Sequence, residues 1–324
     1  MKLRNSLFCV LLLAVSAPGS DETPTRTLLP GSSRTLTVPR FGTWGHAKCS
    51  ADGSVFVHGD TGSINDSVVL KISADGSAYT IYDLPDEKSK ATAFSAFDVT
   101  GEGDVWMLDE TKEGELAAFH FNSAGKLSSE TRLAVPNHLR ARIFSVFPSG
   151  AMLVGGYFGK LAEKSGLAGK GYVALFERSG RLRKVLNAPD LDFDPKKITT
   201  TPFQGASAIG EDGNLYLLTG SQVVVMSETG EKLRTLKYEK VSEAIASNIV
   251  ASQDLLALWL LSQDKEGSVD GRFLVINYQT GEPLATYTSG PELGNMPLCF
   301  SRQDGFTFLK VESGVAKFIS APLR

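Results

Sequence analysis

Glu211-Asp212-Gly213-Asn214-Leu215-Tyr216-Leu217-Leu218, followed by Val223-Val224-Val225-Met226 and then Ser227-Glu228-Thr229-Gly230, decides the fold. The Asp-Gly pair permits the positive φ that a tight turn between antiparallel strands needs. The apolar runs on either side are short and rich in strand-forming residues. The unit therefore reads as strands A to D, with glycine turns between A and B and between C and D.

The same unit recurs along the chain. Further A–B turns stand at Ala51-Asp52-Gly53, Gly101-Glu102-Gly103, Pro148-Ser149-Gly150, Gln253-Asp254 and Gln303-Asp304-Gly305. Apolar runs follow them, among them Val55-Phe56-Val57, Val105-Trp106-Met107-Leu108 and Leu255-Leu256-Ala257-Leu258-Trp259. The C–D glycines, Gly76, Gly125, Gly180, Gly230 and Gly281, are about fifty residues apart. No segment sustains the i, i+3, i+4 apolar pattern of a helix. Six such units predict an all-β chain, a six-bladed β-propeller of four-stranded blades. A pair of β-sandwiches would not repeat with this period.

Ring closure is also written in the sequence. The last unit has strands A, B and C and then the chain stops at Arg324. Units one to three end strand D with an apolar residue and proline: Leu84-Pro85, Val135-Pro136 and Ala188-Pro189. Gly31 to Val38-Pro39 has the same form and nearly the same span. Residues 32–38 are therefore expected to supply the outer strand of blade six, so that an N-terminal strand completes that blade and closes the ring.

The chain has 324 residues, 42% apolar and 21% charged, with a formal net charge of −3. That composition suits a globular protein and argues against a general nucleic-acid or anionic-membrane binder. Residues 1–20 carry Lys2 and Arg4, the short apolar run from Leu7 to Val15, and then small residues, the pattern of a signal peptide. That run is too short to span a bilayer. The expected organisation is a signal peptide over 1–20, a flexible segment over 21–31, and one propeller domain over 32–324. The mature protein is expected to be secreted or periplasmic, without a membrane span, and to act as a monomer.

Export leaves Cys49 and Cys299, which could pair in an oxidising compartment. Both fall on innermost strands of blades that meet at the ring closure. Counted back from Gly53 and Gly305 their offsets share parity, which places them on corresponding rather than facing sides of their sheets. Packed sheets also lie about 10 Å apart. Two buried thiols are the favoured reading, and a disulfide the other.

In a propeller the A–B and C–D turns emerge on one face, and the B–C and D–A loops on the other. Here the turns are short, and the length variation falls in the loops: 156–171 and 262–272 as B–C loops, and 190–204 as a D–A loop. Long loops on a rigid scaffold are where binding is expected. Tyr157 and Phe158 are expected as exposed aromatics on this face. The channel mouth would be lined by Trp44, His46, Arg140, Arg142, Gln204, Asn248 and Asn295, a polar ring suited to a hydrogen-bonding or anionic ligand. It could equally be a hydrated channel.

Catalytic patterns are thin. His46, His58 and His138 could approach the loop face, while His120 falls on strand C of blade two; their spacing fits no metal motif. Asp190-Leu191-Asp192-Phe193-Asp194 has the alternate carboxylates of a calcium loop, but Pro195 stands where glycine is needed and no closing glutamate follows. Gly169-Lys170-Gly171 precedes a strand rather than a helix, so it is no dinucleotide fingerprint. No metal site and no cofactor is expected, with calcium as the alternative.

With its six units and the recurring Asp-Gly-x-apolar-aromatic-apolar motif, best seen at Glu211–Tyr216, the chain resembles the six-bladed propeller superfamily over residues 32–324. That group includes NHL-repeat proteins, gluconolactonase-like hydrolases and the virginiamycin B lyase group, and the chain is most similar to exported bacterial propellers of unassigned role. The resemblance speaks for fold. A lyase-like site would need a histidine and acidic metal cluster, which is missing. A gluconolactonase-like calcium site would need carboxylates and asparagines from inner strands; Asn248 and Asn295 fit, but the channel glutamate is absent. The function expected is therefore a non-enzymatic binding or scaffold propeller for a protein, peptide or glycan. The alternative is a hydrolase or lyase, with or without metal assistance, acting in the channel on a small polar substrate, with His46 and Arg142 as its catalytic groups.

Overall fold

The structure, a computed structural model, describes residues 23–38, 47–60, 67–84, 96–136, 139–158, 166, 170–186, 207–219, 222–238, 245–263, 269–293, 297–313 and 315–324. Among them there is no helix, and so none long and apolar enough to cross a membrane. The expected signal peptide lies outside the described residues.

Six sheets form the blades of a six-bladed β-propeller. Blade one holds β3 (Ala47–Cys49), β4 (Val55–Asp60), β5 (Ser67–Ile72) and β6 (Tyr79–Tyr82). Blade two holds β7 (Ala96–Val99), β8 (Val105–Glu110), β9 (Leu116–Phe121) and β10 (Leu127–Arg132). Blade three holds β11 (Leu139–Val146), β12 (Met152–Phe158), β13 (Gly171–Phe176) and β14 (Leu182–Val185). Blade four holds β15 (Ser207–Ile209), β16 (Leu215–Thr219), β17 (Gln222–Met226) and β18 (Lys232–Lys237). Blade five holds β19 (Ile245–Ser252), β20 (Leu255–Gln263), β21 (Val269–Asn277) and β22 (Pro283–Ser289). Blade six holds β23 (Pro297–Ser301), β24 (Gly305–Glu312) and β25 (Val315–Ala321).

The fourth strand of blade six is β2 (Ser33–Thr35), antiparallel to β25, as the 31–39 segment predicts. The segment 21–31, expected to be flexible, instead contributes β1 (Thr25–Leu28), which runs parallel to β22 as a fifth strand of blade five. Leu28 anchors it, buried between blades five and six. The N-terminal segment thus covers the outer edges of two adjacent blades.

The pattern of apolar residues follows from the packing. Central strands are buried on both faces, so β16 and β17 are almost continuously apolar. Leu258 packs toward blade four and its neighbour Trp259 toward blade six. Outer strands face solvent on one side, and β10 and β14 are accordingly polar and half exposed. Burial of each large side chain contributes about 1.5–3 kcal/mol.

Polar contacts fasten each blade to the next at the rim. An outer strand donates to carbonyls of the following C–D turn: Arg34 to Ala74, Tyr82 to Ser123, the Ala134 N–H to Gly180, Arg183 to Glu228, and Arg234 to Tyr278 and Gln279. Arg26 of β1 does the same for Arg324 at the end of blade six. The turns sit so close that a Cβ on Gly180, whose φ is 81°, would fall on the Arg132 carbonyl oxygen.

Cys49 and Cys299 form a disulfide, which corrects the expectation of two thiols. Their Cα atoms are 5.6 Å apart, within the range a disulfide bridges. Two physical facts defeat the parity argument. Inner strands converge toward the axis, so the 10 Å spacing of packed sheets does not hold there. The two glycines are also not equivalent. In blade one the turn is Ala51-Asp52-Gly53, closed between Ser50 and Ser54; in blade six it is Arg302-Gln303-Asp304, closed between Ser301 and Gly305. Gly305 thus stands one place later than Gly53, and Cys299 points toward blade one, as its place in the core shared with Val55 and Val57 requires.

Candidate functional site

The inner strands β3, β7, β11, β15, β19 and β23 surround a central cavity of about 650 Å³. A–B turn residues of all six blades line it, so it opens on the turn face. Its charged lining is of both signs, with Lys48 and Arg302 beside Asp98, Glu211 and Asp304.

Most of these polar groups hold neighbouring blades together. Lys48 Nζ of blade one lies 2.5 Å from Asp98 Oδ1 of blade two. The same oxygen accepts the Val99 N–H at 2.8 Å, and Oδ2 accepts the Val146 N–H of blade three at 2.7 Å. Ser145 and Ser207 share a buried hydroxyl–hydroxyl bond of 2.7 Å between blades three and four. The Gln253 N–H donates to Glu211 Oε1 at 3.2 Å between blades four and five. Blades five and six are tied by Arg302 N–H to Ser252 Oγ at 3.1 Å, by the Arg302–Asp254 ion pair, and by Trp259 Nε1–H to the Pro297 carbonyl at 3.3 Å. The disulfide completes the circuit from blade six to blade one.

Of the sequence-derived site residues, Trp44, His46, Gln204 and Asn295 lie outside the described residues, as do His138 and the acidic run 190–194. Asn248 lines the cavity, and its Oδ1 accepts the N–H of Ile249 at 2.9 Å. His58 is on β4. His120 is on β9, where Nε2 lies 2.9 Å from Asp104 Oδ2 and the ring stacks on Trp106. Among the described residues no three His, Cys, Asp or Glu side chains gather as a metal site.

Two expectations about loops are corrected. Gly156, Tyr157 and Phe158 belong to β12, not to a B–C loop, and blade five's strands extend to Gln263 and resume at Val269. Phe158 is not an exposed aromatic. It is 3% exposed and packs between blades two and three, with its ring 5.8 Å from that of Tyr172. Strand alternation continues through Gly155-Gly156 and puts Phe158 on the opposite side of the sheet from Tyr157.

Tyr157 is half-buried at the loop end of blade three, paired with Arg140 across the ladder. The Arg142 guanidinium, with that of Arg140, holds its phenol below the ordinary tyrosine pKa despite some opposing desolvation. Sequence reading expects Arg140 and Arg142 at the channel mouth and Tyr157 in a loop; neither arginine lines the central cavity, and the β-bulge that places them beside Tyr157 carries no sequence signature beyond the Gly155-Gly156 pair.

Solved structures resemble this chain at low identity. A member of the DUF4221 family from Bacteroides vulgatus has a TM-score of 0.61 at 8% identity, covering 90% of this chain and 97% of that one. Regucalcin, a calcium-binding protein from Agrobacterium tumefaciens, has a TM-score of 0.52 at 14% identity, covering 94% and 98%. A putative gluconolactonase has a TM-score of 0.52 at 14% identity, covering 92% and 95%. At these identities the likeness is one of fold. No family model matches the chain, and no curated protein matches it in sequence.

Proposed function

We propose that the chain is an exported, non-enzymatic binding propeller that presents its loop face to a protein, peptide or glycan. The observation that carries this reading is the state of Asp98. Both oxygens of this carboxylate are occupied, by Lys48 and by two backbone N–H groups, and the residue is 5% exposed. A general base or metal ligand needs a free lone pair directed at the reacting centre. Asp98 has instead become a fastening between three blades. The signal-like residues 1–20 support export, and so does the Cys49–Cys299 disulfide, since such bonds persist in oxidising compartments.

The second reading is a hydrolase or lyase acting on a small polar substrate in the channel. The 650 Å³ central cavity and the fold shared with a putative gluconolactonase favour it. A screen of lactones and esters with added calcium or zinc separates the two. The binding reading expects no turnover. Turnover that His46→Ala abolishes would overturn it.

A further inference from the structure

We propose that Arg140, Arg142 and Tyr157 form a receptor for an oxyanion of the ligand, a carboxylate, sulfate or phosphate, at the loop end of blade three. This rests on the binding reading and names the chemistry its ligand must carry.

The site is built by the backbone. β11 pairs Arg140 with Tyr157 and Ala141 with Gly156, and then Ile143 with Gly155, leaving Arg142 as the extra residue of a β-bulge. Bulges re-aim side chains that regular alternation would place elsewhere. Here Ala141 packs toward blade two and Ile143 toward blade four, so the alternation flips at Arg142. Room for the bulge comes from Gly156, where a Cβ would overlap the Arg140 carbonyl and lie 2.9 Å from the Ala141 Cα.

The donors then converge. Arg140 stands directly across the ladder from Tyr157, and both guanidinium groups act on its phenol. The phenol itself brings an O–H that can donate. Arg142 Nε is buried without a hydrogen-bond partner, a state that costs about 1–3 kcal/mol, so the rest of the Arg142 fork is held in place without a protein acceptor for that donor. Among the described residues no carboxylate pairs with Arg140 or Arg142, and neither has an interaction beyond those named. Two positive forks and a hydroxyl, in a chain of net charge −3, are a local match for a planar or tetrahedral oxyanion.

Calorimetric titration of the full chain with inorganic sulfate, inorganic phosphate and glucuronate tests the site and identifies which oxyanion it takes. Saturable binding of at least one is expected. Arg142→Gln and Arg140→Gln should each weaken it roughly tenfold. Tyr157→Phe, which removes the donating hydroxyl and keeps the ring, should weaken it without altering the far-ultraviolet circular dichroism. A bound oxyanion should also raise the pH at which Tyr157 ionises, read at 295 nm. Absence of saturation with all three probes, or variants that bind as the parent does, would overturn the site. A flat titration with a clean lactone and ester screen would reject this site alone. Turnover in that screen would reject the binding reading instead.

Discussion

Cys49 and Cys299 are joined across the seam between the first and last blades, closing a covalent loop over a sequence separation of 250 residues. Two other devices close the same seam: β2 pairs with β25, and the Thr37 N–H donates to the Gly76 carbonyl at 2.9 Å. The disulfide acts at the axis and the strand at the rim, so each limits a different opening of the ring.

Loss of the disulfide should cost about 2–5 kcal/mol, because so long a loop restricts the unfolded chain strongly. Denaturant unfolding of Cys299→Ser beside the parent, with and without reductant, measures it. The parent should fall to the variant's midpoint on reduction. An identical midpoint in all samples would show that the bond adds nothing to the strand closure.

Deleting residues up to Val38 removes β1 and β2 together, with buried Leu28 and Leu36. The edges of β22 and β25 would then be bare, and bare edges pair with other chains. Lower melting and self-association on size exclusion are expected. Unchanged melting of a monomeric truncation would refute the closure.

The neighbouring glycines of β12 should differ sharply. Gly156→Ala meets the Arg140 backbone, which cannot retreat without undoing the bulge; Gly155→Ala meets mainly the Ile143 and Val173 side chains at 3.1 and 3.2 Å, which can shift. A loss of about 1–3 kcal/mol is expected for the first, and less for the second. The first should also abolish oxyanion binding. Equal losses from both would mean that the bulge is not what the glycine pair accommodates.

Tyr157 should be the first tyrosine to ionise on alkaline titration. The Arg142 guanidinium holds its pKa down, aided by that of Arg140, whereas burial pushes Tyr82 up to about 12 and raises Tyr172, Tyr216, Tyr238 and Tyr278. Because the folded pKa is depressed, the phenolate's stabilising contribution appears as pH rises through that folded value and is absent below it. Tyr157→Phe should delete the earliest phase of the 295 nm titration, and Arg142→Gln should move it to higher pH. A titration that neither variant changes would remove the arginine pair from the phenol.

The blades were legible because their cause is local. Asp-Gly turns and doubly buried strands such as Val223–Met226 leave a pattern that repeats, and the closing strand copies the Gly-to-Pro form of its equivalents. What escaped has causes that are not local. β1 pairs in parallel, without a hairpin turn to announce it. The burial of Phe158 depends on alternation continuing through two glycines that resemble a strand end. The disulfide depends on Gly53 and Gly305 occupying different places in their turns. The Arg140–Arg142–Tyr157 cluster depends on a bulge, which shows itself only in the ladder.

Asp98→Asn, assayed in one set of samples for thermal stability and for lactone and ester turnover, tests most directly whether the inner ring fastens blades or performs chemistry. Fastening predicts a loss of about 1–3 kcal/mol, since a part-buried pair with Lys48 is broken and the Val146 N–H loses its charged acceptor. It also predicts no turnover in parent or variant. A variant that melts with its parent but has lost a turnover the parent shows would contradict it, and would place Asp98 in a catalytic site.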